Sequence, residues 1–172
     1  MWKIKAAIVL VVVIAIAVWV AAGGSDEEGT QSQKEIVQQL RPLIAQCMRL
    51  GDEEIAVRGK CLVWDIHGDR LSQADRYLPE NLKATGNDKQ LTVFMVAVRK
   101  NVLVGRYSAS KRGAYRQFVD VYVAYWPQKR AVGAHSLVTQ PPPNVRKVQA
   151  RAEYGHPGPT IAHWIKRLPR TP

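Results

Sequence analysis

The sequence contains little cysteine and few of the short motifs that mark common sites. Two cysteines among 172 residues are too few for a dense disulfide framework or a four-cysteine zinc site. The chain also lacks a phosphate-binding glycine loop, an EF-hand loop, an Asn-x-Ser/Thr acceptor and a nucleophile elbow. No internal repeat of about 20 to 50 residues is present, which argues against a solenoid or a propeller. These absences remove the most readily recognised enzyme and repeat classes.

The composition is that of a globular chain with an excess of positive charge. Hydrophobic residues make up 47% and charged residues 23%, and this balance excludes a disordered chain. Lys and Arg number 25 against 14 Asp and Glu, which gives a formal net charge of +11. The basic residues are scattered along the chain without a run of five, so no polybasic tail is present. The charge indicates either a solvated basic surface or attraction to an acidic partner.

The first residues form the clearest signal. Residues 6–22 are 17 consecutive apolar residues without a charge, and as a helix they span roughly 26 Å, close to the thickness of a bilayer core. Lys3 and Lys5 precede this run, and three acidic residues follow it. The positive-inside rule then keeps the N-terminus in the cytoplasm and sends the remainder across the membrane. We therefore predict a single-pass membrane protein with an extracytoplasmic domain.

A cleaved signal peptide is the alternative interpretation of the same segment. Val20-Ala21-Ala22 resembles a small-residue cleavage site, but the apolar run is longer than the usual signal core of about 7–15 residues. Its length favours a retained anchor. The predicted organisation is an anchor over 1–24, a linker over 25–31 and one domain over 32–172.

Hydrophobic periodicity predicts an α+β domain. A helix begins near Ser32, is interrupted by Pro42 and ends at Gly51. A final amphipathic helix begins at Thr160. Between the two helices the apolar patterns predict strands at 60–66, 91–98, 102–107, 115–126 and 131–138. Short connections, one of them at 99–101, favour an antiparallel sheet of about five strands with flanking helices on one face.

One short string suggests metal chemistry. Asp65 and His67 lie two residues apart at the end of a predicted strand and therefore point to the same face, with Asp69 close behind. The string Asp65-Ile66-His67-Gly68-Asp69 resembles the first motif of the calcineurin-like metallophosphoesterases. That resemblance implies a divalent metal bound by Asp65, His67 and Asp69. The further motifs of that family are incomplete here: Gly86-Asn87-Asp88 and Gly155-His156-Pro157-Gly158 each lack a histidine. The alternative interpretation is an ordinary strand end followed by a turn.

Basic and aromatic residues suggest a binding surface instead. Arg106 and Arg116 belong to the basic set, and Trp126 and Trp164 belong to a cluster rich in aromatic residues and proline. Such a cluster suits a peptide- or glycan-stacking surface, or simply the packing of the last helix on the sheet. Candidate partners are the lipid bilayer through residues 6–22, and beyond it an acidic envelope polymer, anionic lipid or another membrane protein. Nucleic acid is disfavoured, because aromatic residues do not alternate with the basic ones.

Three further side chains have alternatives that the sequence leaves open. Cys47 and Cys61 form a disulfide in an oxidising compartment or remain two buried thiols. Asp120 lies among valines, and we expect it to pair with Arg116 or Arg106. Taken together, the sequence predicts a membrane-anchored protein that acts in binding or assembly at the cell envelope. A metal-dependent hydrolase using the segment from Asp65 to Asp69 is the alternative.

Overall fold

A computed structural model describes residues 31–86, 88–107, 111–142 and 153–171. The predicted anchor at 6–22, most of the predicted linker and Asn87 of the predicted turn lie outside these ranges. Within them, no helix is long and apolar enough to cross a membrane.

The first helical segment is interrupted where proline predicts. Residues 31–40 are helical (α1), Arg41–Leu43 form a 3-10 turn that contains Pro42, and α2 covers Ile44–Leu50. Gly51 ends α2 with a φ of 69°, a conformation that glycine adopts at little steric cost. The last helix, α3, covers Pro157–Arg167 and thus begins before Thr160, because Pro157 and Pro159 fit the first helical turn, where no donor is needed.

The strands form one sheet in the middle of the domain. In chain order the strands are β1 Lys60–Asp65, β2 Arg70–Leu71, β3 Leu91–Arg106, β4 Gly113–Trp126, β5 Arg130–Val138 and β6 Glu153–Tyr154. Five of them lie in the order β2-β1-β3-β4-β5, and β6 pairs with β4. A 3-10 helix, Gln73–Tyr77, follows β2 and is capped by the Ser72 hydroxyl.

The α+β class is confirmed, but the sheet is mixed rather than antiparallel. β1 pairs with β3 in parallel, and so does β4 with β6. The chain between Asp65 and Leu91 is 25 residues long, enough to cross back to the starting end of the sheet. The prediction of a purely antiparallel sheet relied on short connections and missed this crossover.

The predicted hairpin at 99–101 is also wrong. β3 continues without a turn from Leu91 to Arg106, and β4 pairs with it as far as Arg106 opposite Gly113. The register shifts between Val98 and Lys100, so one extra residue is accommodated as an irregularity in a continuous strand. The polar sequence Arg99-Lys100-Asn101 resembles a turn, but β4 is long enough to provide a partner strand.

Helices cover both faces of the sheet, not one. Phe94 and Val121 pack towards α3, together with buried residues such as Ile161 and Ile165 of that helix. The alternate side chains of the strands point to the other face and pack towards α1. Val93 and Met95, for example, belong to the same buried cluster as Val37 and Leu40. The predicted division of β4, with Val119, Val121, Val123 and Tyr125 on one face, is confirmed. Continuous burial of Leu91–Ala97 follows from having a helix on each side.

Both cysteines are free and buried. Cys47 donates a 3.2 Å hydrogen bond to the carbonyl of Val123, whereas Cys61 packs in the cluster on the α3 face. Burial raises the pKa of both thiols, that of Cys61 to about 12. The structure therefore shows two buried thiols, one of the two alternatives that the sequence left open.

Candidate functional site

The outer parts of β3 and β4 extend beyond the rest of the sheet. β1 pairs only with Leu91–Val96 of β3, and β5 pairs with β4 only from Phe118 onwards. The remaining residues, 98–107 and 111–117, form a two-stranded extension that we call the hairpin arm. Residues 99–106 are all exposed, in contrast to the buried first half of the same strand. The β3 part of the arm is therefore exposed along most of its length, while Gly113–Gln117 of β4 are half-buried.

Apolar side chains lie in the exposed part of the arm. Val102 is 39% exposed, and Leu103 and Val104 are 45% exposed each. Three consecutive large apolar residues on a strand that are each more than a third exposed are unusual, because sheet faces normally pack against another layer. A contiguous exposed apolar segment of this kind is typical of an interaction site.

The arm is also uniformly basic. No Asp or Glu occurs between Lys89 and Val119, a stretch that contains seven Lys and Arg. Arg99 pairs at 3.5 Å with Asp120, and the Lys100 ammonium lies 4.7 Å from the centre of the Phe118 ring. Asp120 also accepts a hydrogen bond from Ser136, so its partners are not the Arg116 or Arg106 that the sequence suggested. Six basic residues belong to the arm: Arg99, Lys100, Arg106, Lys111, Arg112 and Arg116.

The two halves of the sequence differ in their balance of acidic and basic residues, and this difference marks the basic arm. A search for runs of like charge does not detect the difference. Residues 89–172 contain 15 Lys and Arg but only two acidic residues, Asp120 and Glu153. Residues 1–88 contain ten basic and twelve acidic residues. The depletion of acids, rather than clustering of bases, distinguishes the second half of the chain.

A pocket opens near the outer end of the arm. It has a volume of about 340 Å³ and lies between arm residues, including Arg106 and Arg116, and the segment Pro141–Pro142 that follows β5. The Nε atom of Arg116 is buried and has no hydrogen-bond partner among the described residues. A buried guanidinium donor without a partner is costly, and a carboxylate or phosphate oxygen satisfies it best.

The edge of the arm that β4 forms is paired with Thr139, directly after β5, and with the segment at β6. Gln117 and Thr139 are joined by two hydrogen bonds of 2.9 Å, and the Tyr115 carbonyl accepts a 2.9 Å bond from the Gly155 amide. The rings of Tyr115 and Tyr154 stack with their centres 5.2 Å apart. These contacts fix the position of β4 in the arm.

The four residues predicted for a binding surface are only partly brought together. Arg106 and Arg116 both line the pocket of the arm. Trp126 is half-buried at the end of β4 and packs against the cluster on the α1 face. Trp164 lies on the α3 face, with its ring stacked on His135 and edge-on to Phe94. The sheet therefore separates the two tryptophans from each other.

The segment suggested for metal binding is a turn whose carboxylates have protein partners. Asp65 Oδ1 accepts hydrogen bonds from the backbone amides of His67 and Gly68, at 3.0 and 3.1 Å. Asp69 pairs with Lys34 at 2.7 Å and with Arg41 at 2.9 Å, while His67 is exposed. The Lys34 ammonium donates to Asp69 and lowers the pKa of that carboxyl group. No group of three or more His, Cys, Asp or Glu is placed to hold a metal in the part of the chain that the structure describes.

A contact between His135 and Asp52 joins segments far apart in the sequence. His135 Nδ1 contacts the Asp52 carboxylate, and the imidazole lies parallel to the Trp164 indole with a 4.9 Å separation between ring centres. The contact connects the loop after α2 with β5 and α3. Sequence reasoning missed it, because 83 residues separate the two partners and neither lies in a recognisable motif.

Comparison of the chain with protein-family models, with curated proteins and with solved structures finds no match. The proposal below therefore depends on the geometry and charge of the chain itself.

Proposed function

We propose that the protein is a membrane-anchored binding module whose hairpin arm contacts an acidic partner at the outer face of a membrane. The observation that carries this proposal is the composition of the arm, which is exposed, partly apolar and without any acidic residue from Lys89 to Val119. Residues 6–22 provide the anchor, and the described domain provides the binding surface.

The charge of the arm supports an acidic partner. Basic side chains on a narrow projecting element raise the local concentration of anions and speed association, an effect that ionic strength weakens over a distance of about 10 Å. Asp120 is the acidic residue that pairs with an arm cation, and it offsets Arg99 alone. The net potential of the arm is therefore positive.

The apolar segment Val102–Val104 adds a contribution that salt does not screen. Covering apolar surface contributes roughly 25 cal/mol per Å² removed from water. A partner that is only a polyanion in solution uses the charge, whereas a partner with both acidic and apolar groups uses the whole arm. The exposed valines and leucine therefore favour an amphipathic partner.

The pocket provides hydrogen-bond donors at a defined place within this surface. Arg116 and Arg106 both line the pocket, and the Arg116 Nε atom is buried without a partner among the described residues. Two guanidinium groups can bind one carboxylate or phosphate with charge-assisted hydrogen bonds. The pocket thus supports recognition of a single anionic group.

The predicted anchor limits where such a partner can be. Residues 23–30 separate the apolar run at 6–22 from the described residues, and eight extended residues reach at most about 29 Å. An anchored domain with so short a tether meets partners close to the membrane. This proximity favours assembly at the envelope over capture of a soluble metabolite.

Binding of anionic probes tests the proposal. The full-length protein, in nanodiscs of neutral lipid, is titrated with poly-L-glutamate and with vesicles that contain phosphatidylglycerol, and neutral dextran serves as the control. We expect binding to at least one anionic probe and at least tenfold weaker binding when salt is raised from about 50 to 500 mM. Absence of binding to every anionic probe at low salt contradicts the proposal.

The orientation has a separate test. Protease added to intact cells should digest the domain only after the outer barrier is made permeable, while the inner membrane stays sealed. Digestion that requires disruption of the inner membrane places residues 25–172 in the cytoplasm and contradicts the envelope location.

A further inference from the structure

The hairpin arm leaves one edge of β3 without a neighbouring strand. The last described contact with the β1 side is a 3.0 Å hydrogen bond from the Ile66 amide to the Val96 carbonyl. From Val98 to Arg106, β3 pairs with β4 only, among the residues that the structure describes. This stretch of nine residues is longer than a typical strand of about five to six residues. We refer to it as the free edge.

At some residues of the free edge, the backbone amide and carbonyl groups point away from β4 and are open to another strand. Opposite residues in an antiparallel pair either bond to each other or both point outward. Tyr115 and Gln117 direct their carbonyl groups to Gly155 and Thr139, on the far side from β3. Their partners across the pair, Leu103 and Asn101, therefore direct their own amide and carbonyl groups to the free edge.

Charge decides which strand can occupy this edge. Lys100 and Arg106 lie on the free-edge strand, and neither has an acidic residue nearby in the sequence. A second copy of the chain would place the same positive charges side by side, which destabilises a pair of strands. Basic side chains and irregularities are also the devices by which edge strands avoid pairing with themselves. An acidic strand, in contrast, gains from the same charges.

We propose that the free edge of β3 binds an extended, acidic segment of a partner polypeptide, which adds to the sheet as a further strand. The inference rests on the proposed function, because it uses the same basic arm and names the class of partner. Backbone hydrogen bonds from Asn101 and Leu103 provide the pairing. Alternate side chains of the added strand reach the apolar residues Val102 to Val104 or the basic residues around them.

The test separates strand addition from simple charge attraction. The probe is a ten-residue peptide of alternating glutamate and threonine, with capped termini, and the full-length protein is held in neutral-lipid nanodiscs. The matched control peptide has the same sequence but carries N-methyl groups on three adjacent central residues. These groups remove backbone donors on both edges of the strand and leave the side-chain charge unchanged.

Strand addition predicts that the unmodified peptide binds at least tenfold more tightly than the methylated one. It also predicts slower hydrogen exchange at the amides of Asn101 and Leu103 when the unmodified peptide is bound. Equal binding of both peptides, without added protection of these amides, overturns the inference and leaves the proposed function intact.

Two further outcomes are informative. One identifies lipid as the partner, and the other overturns both the proposed function and strand addition. Binding to phosphatidylglycerol vesicles without binding to either peptide overturns strand addition and identifies lipid as the partner. Absence of binding to the peptides, to poly-L-glutamate and to the anionic vesicles overturns the proposed function together with the inference.

Discussion

Arg41 donates a 2.9 Å hydrogen bond to the carboxylate of Asp69, 28 residues further along the chain. The same guanidinium donates to the Ile66 carbonyl at 3.1 Å, and Lys34 pairs with the second oxygen of Asp69 at 2.7 Å. Asp69 therefore ties the end of α1 to the turn after β1. A residue that the sequence suggests as a metal ligand acts here as a link between helix and sheet.

Substitution of Asp69 by asparagine should lower stability in a pH-dependent way. Lys34 lowers the pKa of Asp69 below its ordinary value of 3.8 in the folded protein. The ionised group therefore stabilises the fold above the pKa of the unfolded chain, and this contribution is lost as the pH falls through the folded value. We expect a lower unfolding midpoint for Asp69→Asn at about pH 7 and a difference that shrinks as the pH falls below the ordinary value of 3.8 and through the lower folded pKa.

Urea denaturation at several pH values measures this difference. Glu54→Gln serves as the matched control, since Glu54 is an exposed carboxylate in a loop. A deficit of Asp69→Asn that persists unchanged at low pH contradicts the ion-pair account.

Metal content tests the hydrolase hypothesis. Both oxygens of Asp69 already contact cations, and one oxygen of Asp65 accepts two backbone amides. We therefore expect elemental analysis of the purified full-length protein to find no stoichiometric metal, also after incubation with zinc or manganese. Bound metal that is lost in His67→Ala contradicts this expectation and revives the hydrolase hypothesis.

The sequence predicts the elements near the core better than their connections. Helical periodicity correctly locates α1 and α2, the break at Pro42 and the apolar face of α3 with Ile161 and Ile165. The same approach divides β3 at Arg99-Lys100-Asn101, because polar residues look like a turn when the length of the partner strand is unknown. Strand direction depends on contacts between distant residues, and local periodicity contains no such information.

The two thiols should be inert in the folded protein. Both are buried, and a pKa of about 12 for Cys61 reduces its thiolate fraction at pH 8 on the order of a thousandfold relative to an exposed cysteine. We expect a thiol reagent to modify both cysteines rapidly in guanidinium chloride and only very slowly without it. Fewer than two reactive thiols in the unfolded, unreduced protein would indicate a disulfide and contradict the structure.

Gly133 of β5 should tolerate no side chain. A Cβ atom at this position would overlap the carbonyl oxygen of Gly51 and lie 3.0 Å from Ile55 Cγ1. The same Gly51 oxygen accepts a 2.7 Å hydrogen bond from Ala134, so moving it breaks a contact between α2 and β5. We expect Gly133→Ala to lower the free energy of unfolding by about 1–3 kcal/mol, as overpacking typically does.

Gly105 in the arm provides the control for this substitution. A Cβ atom there meets nothing within 4 Å, so Gly105→Ala should change stability by less than about 0.5 kcal/mol. Equal stabilities of the two variants in urea denaturation would contradict the described packing of β5 against the loop after α2.

The candidate site could be predicted only in part. Arg106 and Arg116 were identified from the sequence as basic binding residues, and the structure places both at one pocket. Trp126 and Trp164 belong to a cluster of aromatic residues and prolines in the sequence, but the two tryptophans pack on opposite faces of the sheet. Which residues share a surface depends on sheet topology, and here topology was the part that the sequence left undetermined.

Charge reversal in the arm tests the central claim most directly. Full-length Lys100→Glu/Arg106→Glu is compared with Arg49→Glu/Arg76→Glu, which has the same net charge and changes exposed residues outside the arm. Affinity for poly-L-glutamate is measured at low salt in neutral-lipid nanodiscs. We predict that affinity falls at least tenfold in the arm variant and changes by less than about twofold in the control. Charges close to the bound partner affect its affinity much more than distant charges do. Equal losses in the two variants would show that total charge, and not the arm, determines binding, and would contradict the account.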